Sequence, residues 1–484
     1  MRKCQILTLI LFLILIPRAW PQNNLIQLKS IIQISSNVSE GQYTLEEIVS
    51  IAYEKGVSVV IPTDRYRMRW EYGLWPLRKL IKKRVEHKSI STYGIKSYLN
   101  EIAKVQSKFP NTVLIAGLEA APYYYWRGFP FRDSFSIHDW HKHILAIGLD
   151  RPEDYKNLPV IGNPPALAKD FSTIKLWPFL LFLIGILCLS KRKYNYQDQK
   201  GVKLGQYSPE FRRTGYFLIF ISLLFIINNW PFLNYRFDQY GFKSKLEPFQ
   251  DFFDYVKEKE GLSFWAHPEA EYFFTAHKVH SKTEKHHYDL LKTHNYNGFA
   301  IFYEGYEIIG KPGGIWDKIL LDYCQGKRLA PIWAIGALAF ESGDLSKSID
   351  DLQTIILAKE KTKTGVLEAI EKGRMYVARG SKSLDFKLSE FYLCDEFNKN
   401  KAFVGSSTSF KGKSIIHIKG EFLKSEQPLE VRIIKEGKVL VNSKVQSPFV
   451  IDYIDNLSQD EKTYYRLEII SKDLHLVTNP IFLN

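Results

Sequence analysis

Residues 41–65 read GQYTLEEIVSIAYEKGVSVVIPTDR, and this stretch predicts a helix followed by a buried strand. Thr44 and Glu47 have the spacing of a capping box, and the apolar residues that follow recur at helical spacing. Residues 57–61 then form a β-branched run that suits a strand buried on both faces of a parallel sheet. Because α/β folds place their chemistry at the C-terminal ends of strands, Asp64 is a candidate catalytic carboxylate.

The same alternation of helices and strands recurs along the chain as far as about residue 384. The patterns S-x-G, T-x-E-E, A-x-x-x-G-V and T-D within residues 39–64 resemble the opening of the polymerase and histidinol phosphatase (PHP) family. The segment GVLEAIEKGRMYVARG at residues 365–380 resembles the closing segment of PHP proteins. The resemblance implies an α/β fold, a distorted seven-stranded β/α barrel, and descent from metal-dependent phosphoesterases.

The resemblance also implies a reduced set of metal ligands. Gln33 and Ser35 stand at ligand positions where they would be poor ligands, and Ala339 stands where a ligand is lost. Arg65 replaces a ligand histidine with a cation. The positions that keep a usable ligand are Glu40, Glu119, His143, His267 and Glu341, and the family's aspartate is kept as Asp64.

Three of the kept ligands, Glu119, His143 and His267, tend to share one metal position in the family. One carboxylate and two imidazoles can hold a single Zn²⁺ or Mn²⁺. Arg65 could then act beside Asp64 in the catalytic position, where its guanidinium would bind a phosphate or carboxylate in place of a second metal.

Each ligand candidate also has a purely structural interpretation. His143 suits a hydrogen-bonded residue at the start of a strand, and His267 suits a strand cap beside Pro268. Glu119 could form a structural salt bridge with Arg65. The sequence leaves both interpretations open for these residues.

Two apolar segments, residues 174–190 and 215–232, flank a basic loop. The loop, residues 191–213, carries seven basic and two acidic residues, a net charge of +5. Apolar segments with aromatic outer ends and a basic turn predict a transmembrane hairpin, with a buried helix pair as the alternative. The membrane is therefore an expected partner, and the rest of the chain is expected on the extracytoplasmic side.

The remaining domain boundaries are predicted from amino-acid composition and from the spacing of apolar residues. Residues 1–22 resemble a signal peptide or an uncleaved anchor. From residue 385 the apolar pattern has period two, which predicts an antiparallel β-sandwich. The expected order is leader 1–22, first half-barrel 23–173, hairpin 174–232, second half-barrel 233–384 and β-sandwich 385–484.

The net charge of +14 over 484 residues does not predict nucleic-acid binding, since no basic–aromatic module of a known kind is present. Two functions remain. The first is a membrane-tethered, PHP-like phosphoesterase whose site is reduced to one metal and whose hydrolysis is weak or absent. The second is a non-catalytic scaffold in the cell envelope that binds a phosphate-containing or other anionic small ligand, or a partner.

Overall fold

The computed structural model describes residues 25–130, 132–164, 167–168, 173–197, 203–230, 234–241, 243–276, 278–409, 412–457 and 462–483. The leader predicted over residues 1–22 lies outside the described residues. The helices are α1 (Leu45–Glu54), α2 (Ile90–Tyr93), α3 (Ile95–Lys108), α4 (Pro152–Lys156), α5 (Trp177–Ser190), α6 (Pro209–Asn228), α7 (Glu247–Glu258), α8 (Asp289–Lys292), α9 (Ile315–Cys324), α10 (Leu345–Asp351) and α11 (Lys363–Glu371).

The strands as far as residue 379 are β1 (Ile26–Ile34), β2 (Val59–Pro62), β3 (Arg69–Gly73), β4 (Lys82–Glu86), β5 (Val113–Leu114), β6 (Gly117–Ala120), β7 (Tyr125–Arg127), β8 (Ser136–His138), β9 (Ile144–Ile147), β10 (Leu167–Ala168), β11 (Arg192–Gln197), β12 (Lys203–Tyr207), β13 (Asn234–Tyr235), β14 (Leu262–Trp265), β15 (Tyr272–Ala276), β16 (Val279–Thr283), β17 (Gly298–Phe302), β18 (Trp333–Gly336), β19 (Leu352–Ala358) and β20 (Met375–Arg379). The later strands are β21 (Phe386–Asp395), β22 (Lys401–Phe403), β23 (Ser407–Thr408), β24 (Lys413–Phe422), β25 (Pro428–Lys435), β26 (Lys438–Gln446), β27 (Phe449–Asn456), β28 (Thr463–Ser471), β29 (Leu474–Thr478) and β30 (Ile481–Leu483).

The opening helix and strand form as their sequence predicts. The capping box is confirmed: the Thr44 backbone N–H donates to Glu47 Oε2 at 2.8 Å, and the Glu47 N–H donates to Thr44 Oγ1 at 3.2 Å. Helix α1 ends before Gly56, whose φ of +72° favours glycine. Strand β2 is buried along its whole length and lies between β1 and β5, parallel to both.

Two sheets carry the strands that surround the candidate site. One contains β5, β2, β1, β19 and β20 in that order, and the other is the five-stranded sheet β18-β17-β14-β9-β6. The bridges Ile34–Phe340 and Arg65–Glu119 connect them. Gln33 has a φ of +61° and interrupts the register of β1 against β2. The strands of the described part form no closed ring, so the expected seven-stranded barrel is wrong.

The C-terminal strands extend the first of these sheets. Strand β29 pairs with β20, and β28 follows β29, so one sheet runs past the boundary predicted at residue 385. A second sheet, β22-β21-β24-β27, covers it, and the two enclose a core that includes Phe391, Ile418 and Leu467. These strands are therefore built onto the same sheet as the N-terminal part.

The predicted transmembrane hairpin is also wrong. Among the described residues, no helix combines the length and the apolar character that a membrane span requires. Helix α5 has 14 residues, about 21 Å at 1.5 Å per residue, and a bilayer core is roughly 30 Å thick. Helix α6 begins with the charged residues Glu210, Arg212 and Arg213, which shorten its apolar part. The predictions of a membrane partner and of an extracytoplasmic location rested on this hairpin, so they are wrong as well.

A buried ion pair joins the C-terminal strands to the rest of the chain. Arg466 of β28 is fully buried, and its Nε and Nη2 each lie 2.7 Å from the carboxylate of Asp317 in α9. Tyr464 donates its hydroxyl to Asp317 at 2.8 Å, and Arg466 also pairs with buried Glu468 at 3.2 Å. Burial alone would lower the pKa of Arg466, but the Asp317 carboxylate raises it above its usual range.

Asp317→Ala should therefore destabilise the protein strongly. The variant removes the two 2.7 Å hydrogen bonds of buried Arg466 and leaves it the longer contact with Glu468. Breaking a buried ion pair in this way costs about 3–5 kcal/mol. The measurement is the free energy of unfolding in urea. Glu46→Ala is the matched control, because the Glu46–Lys108 pair is solvent-exposed and contributes little. Equal losses in the two variants would contradict the role assigned to Asp317.

Candidate metal centre

Three adjacent strands bring the candidate ligands together. Glu119 lies within β6, His143 immediately precedes β9, and His267 follows β14. Strand β9 runs antiparallel to both β6 and β14, and its first residue pairs with Ala120 on one side and Trp265 on the other. The N-terminal end of β9 therefore meets the C-terminal ends of its two neighbours. This arrangement, and not a closed barrel, makes the three side chains converge.

The three side chains approach one another closely. His143 Nδ1 lies 2.6 Å from Glu119 Oε1 and 3.1 Å from His267 Nε2, and His267 Nε2 lies 3.8 Å from Glu119 Oε1. One potential ligand atom from each residue lies within 4.8 Å of the other two. Glu119 and His143 are buried, with 4% and 2% exposure, and His267 is half-buried. The structure thus unites the three residues that the sequence predicts as one metal site.

The guanidinium of Arg65 lies against the same atoms. Its Nη1 is 2.9 Å from Glu119 Oε1 and 2.6 Å from His143 Nδ1. Burial alone would lower the pKa of Arg65, but the nearby carboxylates, Glu119 first, raise it. Arg65 therefore stays a cation, positioned at the atoms that a metal ion would use.

Arg65 also shifts the pKa values of Glu119 and His143. Burial lowers the pKa of His143 to about 3, and the Arg65 charge contributes to the shift, so the imidazole is neutral at pH 7. Burial alone would raise the pKa of Glu119, but the Arg65 guanidinium overcomes it and holds that pKa well below the usual range. An ionised carboxylate and neutral imidazoles are the forms that bind metal.

Glu40 and Glu341 lie on the outer side of Arg65. Arg65 Nη2 donates to Glu341 Oε1 at 3.0 Å, and Arg65 Nε lies 3.3 Å from Glu40 Oε2 as an ion pair. Both carboxylates are partly solvent-exposed. The structure places these two predicted metal ligands on the guanidinium and outside the group formed by Glu119, His143 and His267.

Asp64 points to a neighbouring loop. Its carboxylate accepts hydrogen bonds from the Ser36 backbone N–H at 2.8 Å, the Ser36 hydroxyl at 2.8 Å and the Ser39 hydroxyl at 2.6 Å. Burial raises its pKa, and these hydrogen bonds oppose the rise. The carboxylate thus anchors the turn after β1. Its catalytic role stays a prediction.

The sequence places Gln33 at a ligand position of the resembled family but does not reveal the hydrogen bond that it forms in the structure. It stands where the family has a ligand histidine, and it is a poor ligand. In the structure its side-chain amide donates to Glu119 Oε2 at 3.2 Å, on the oxygen opposite Arg65. Its left-handed backbone directs the amide inward. A glutamine in a β-branched stretch carries no sequence signal for that conformation.

The donor set fits one divalent cation. Oε1 of Glu119 and Nδ1 of His143 face each other at 2.6 Å, although a neutral nitrogen cannot donate to the carboxylate and accept from Arg65 at once. A cation between them would satisfy both lone pairs. One carboxylate with two histidines is a zinc-type donor set. Arg65 is the competing cation at this position.

Comparisons with known proteins do not assign this chain to a family. No family model matches the chain, and no curated protein matches it. One similar solved structure is a two-domain protein from Bacteroides vulgatus that contains a predicted PHP-like metal-dependent phosphoesterase; the identity is 12%, the match covers 92% of this chain and 91% of that one, and the TM-score is 0.34. Another, from Bifidobacterium adolescentis, is described as a candidate metal-dependent phosphoesterase; the identity is 11%, the match covers 65% of this chain and 87% of that one, and the TM-score is 0.28. With both TM-scores below 0.5, neither likeness carries an argument about this chain.

Proposed function

We propose that this chain is a PHP-like protein that binds one divalent metal ion, Zn²⁺ or Mn²⁺, through Glu119, His143 and His267, and that its hydrolysis of phosphate esters is weak or absent. The observation that carries the proposal is the convergence of these three side chains from three adjacent strands. When bound, the ion would polarise a phosphoryl oxygen as a Lewis acid. Phosphate binding next to the ion would depend on the protein side chains around it, Arg65 above all.

Arg65 is the residue that would bind the phosphate. Its guanidinium is already engaged by Glu119, Glu341 and Glu40. An incoming anion must take the place of one of these carboxylates, and Glu341 is the most exposed of them, at 47%. Displacing an exposed carboxylate costs little, whereas displacing buried Glu119 would leave a buried charge unpaired.

The same arrangement explains why hydrolysis should be weak. A guanidinium binds an anion through fixed N–H donors but cannot activate water, whereas a second metal ion would do both. The charge of Arg65 also opposes the metal ion at the shared ligand atoms. The site therefore supports binding better than turnover.

A second function is non-catalytic binding of a small anionic ligand. The favouring observation is that Arg65 holds a fixed position with Nη2 facing the exposed Glu341, where a phosphate or carboxylate could replace that side chain. This function needs no metal ion. Metal content therefore distinguishes the two proposals.

The metal proposal predicts about one divalent ion per purified chain after loading with Zn²⁺ or Mn²⁺ and desalting, measured by elemental analysis. His267→Gln should lose at least nine-tenths of it, because the variant removes one of three ligands and leaves the contacts of Arg65 with its carboxylates in place. His280→Gln is the matched control, since this histidine lies on the β15–β16 hairpin, away from the centre, and bonds to Thr275.

Equal, near-zero metal in the parent and both variants would eliminate the metal proposal. Fast metal-dependent hydrolysis of p-nitrophenyl phosphate by the parent protein would contradict the weak-turnover part instead. Circular dichroism of each variant shows whether a loss of metal reflects a loss of fold.

Arg65→Gln should raise the affinity for Zn²⁺ at least tenfold, about 1.4 kcal/mol, because it removes a positive charge that lies within 2.9 Å of two ligand atoms. Calorimetric titration with Zn²⁺ measures the change. Arg69→Gln is the control, since Arg69 pairs with Glu71 and Glu86 outside the centre. Unchanged or weaker metal binding in Arg65→Gln would show that Arg65 does not compete with the metal.

Glu341→Gln should strengthen the binding of inorganic phosphate several-fold, because it frees Arg65 Nη2 from a competing carboxylate. Isothermal calorimetry with sodium phosphate measures the affinity with and without metal. Glu54→Gln, on the exposed side of α1, removes one negative charge elsewhere and should leave phosphate binding unchanged. If both variants behave like the parent, Arg65 is not the anion-binding group.

A further inference from the structure

Arg67 has two guanidinium nitrogens that are buried and make no hydrogen bond. Its Nε and Nη1 are shielded from solvent, and neither has a hydrogen-bond partner among the residues that the structure describes. A charged donor withdrawn from water without an acceptor is costly, so folded proteins contain few of them. The residue as a whole is half-buried, so a ligand from solvent can still reach the guanidinium. These nitrogens therefore indicate a place where an anion could bind.

Arg69 brings a second guanidinium to the same place. Side chains alternate along this part of the chain: Tyr66 and Met68 are buried, whereas Arg67 and Arg69 are half-buried. An extended chain directs alternate side chains to one face. A Cβ on Gly162 would lie 2.8 Å from Arg67 Nη1 and 3.0 Å from Arg69 Nη2. Both guanidinium groups thus lie against the backbone of one glycine.

The loop that carries this glycine has a fixed position. Gly162 has a φ of +92°, which favours glycine, and a side chain there would crowd both guanidinium groups. The next residue, buried Asn163, donates its amide to the Tyr66 hydroxyl at 2.8 Å and to the Leu158 carbonyl at 3.0 Å. The loop is therefore held beside the two arginines before any ligand binds.

A small cavity lies next to the two guanidinium groups. Its lining includes Arg67, Arg69, Tyr66, Tyr124 and Trp140, and its volume is about 10 Å³. A volume of this size holds about one water-sized atom. The cavity can therefore accept one oxygen of a ligand, and the rest of that ligand must lie on the solvent side of the arginines.

The ion pairs of Arg69 are long. Its Nη1 lies 4.0 Å from Glu86 and its Nη2 lies 3.9 Å from Glu71, both beyond hydrogen-bond distance. Glu71 is also bound by Lys82 at 3.2 Å and by Arg84 at 3.3 Å. The side chain of Glu86 is 32% exposed. An anion that binds Arg69 more closely would displace Glu86 into solvent, which costs little.

The charges around Arg67 favour an added anion. Burial lowers the pKa of Arg67; Tyr66 and Glu86 oppose this shift, and the charges of Arg69 and Arg84 add to it. A bound anion would offset the repulsion among the cations and supply acceptors for the buried N–H groups. A phosphate group suits this role, because its tetrahedral oxygens can accept from two guanidinium groups at once.

We propose that Arg67 and Arg69 form a binding site for a phosphate group, separate from the metal centre. One phosphate oxygen would lie in the small cavity and accept from Arg67, and another would accept from Arg69 in place of Glu86. The remaining oxygens would face solvent, so the ligand is inorganic phosphate or a phosphate monoester. The proposal depends neither on metal binding nor on anion binding at Arg65.

The first test is isothermal calorimetry of the metal-free full chain with sodium phosphate. Because Arg65 is another candidate anion site, the titration is repeated with Arg65→Gln, which should retain one phosphate per chain. Arg67→Gln added to Arg65→Gln should weaken that binding at least tenfold. Arg151→Gln added to Arg65→Gln is the matched control and should change the affinity less than twofold, since Arg151 is 68% exposed and pairs with Asp154.

Glu86→Gln tests the same site with every arginine in place, so it remains informative if an arginine variant unfolds. It should strengthen phosphate binding several-fold, because it removes the carboxylate that competes for Arg69. Glu54→Gln removes one exposed carboxylate elsewhere and should leave the affinity unchanged. Circular dichroism of each variant shows whether its fold is intact.

Two further anions identify the ligand. Methyl phosphate should bind within threefold of inorganic phosphate, because its methyl group would point to solvent; binding at least tenfold weaker would restrict the site to the free ion and overturn the monoester part of the proposal. Sodium acetate, which is planar and carries a single charge, should bind at least tenfold more weakly than phosphate. Equal binding of acetate would contradict a site built for phosphate.

Three other outcomes would overturn the proposal. Loss of all phosphate binding in a folded Arg65→Gln variant would leave Arg65 as the anion site, a result that contradicts this proposal but not the proposed function. Unchanged phosphate affinity in both the Arg67→Gln and the Glu86→Gln variants would place the phosphate elsewhere. Failure of the parent protein to bind phosphate at millimolar concentration would mean that water alone fills the cavity.

Discussion

The contact between the Arg65 guanidinium and Glu119 organises the candidate site. Three carboxylates and two imidazoles meet at the strand ends, and without a cation the carboxylates would repel one another there. Arg65 supplies that cation from within the chain. The site can therefore fold with its ligands ionised and close together whether or not a metal ion is present. The fixed positive charge has the opposite effect on a metal ion, which must bind beside it or displace it.

The backbone next to this contact is strained. Gln33 and Ala339 both have left-handed φ values, +61° and +50°, and the Phe340 N–H donates to the Gln33 carbonyl at 3.2 Å, so the two strained segments are bonded to each other. Such conformations cost about 1–3 kcal/mol each and persist where the surroundings fix them. These are the positions at which the family resemblance expects metal ligands. Neither residue is a good metal ligand, since alanine has no donor atom and the glutamine amide is a poor ligand.

The opening helix and the three grouped ligands could be predicted from the sequence, whereas the arrangement of the strands into sheets could not. The capping box at Thr44 and Glu47 follows from side-chain spacing, and the convergence of Glu119, His143 and His267 follows from family positions. The barrel prediction was wrong because closure depends on pairing between strands that are far apart in the chain, which the hydrophobic pattern does not report. The register shift of β1 at Gln33 leaves no trace in that pattern either. The hairpin failed because hydropathy counts apolar residues but does not report where a helix begins and ends. The role of Gln33 as a partner of Glu119 depends on the same backbone turn.

The two ends of the Arg65 guanidinium face different surroundings. Glu341 is exposed and bonded to Nη2, while Glu119 is buried and bonded to Nη1, so the two ends of the guanidinium differ in how easily they exchange partners. An anion that replaces Glu341 would leave the Nη1 contacts intact. A metal ion, in contrast, needs the atoms that Nη1 occupies. An anionic ligand and a metal ion would therefore act on opposite ends of one side chain.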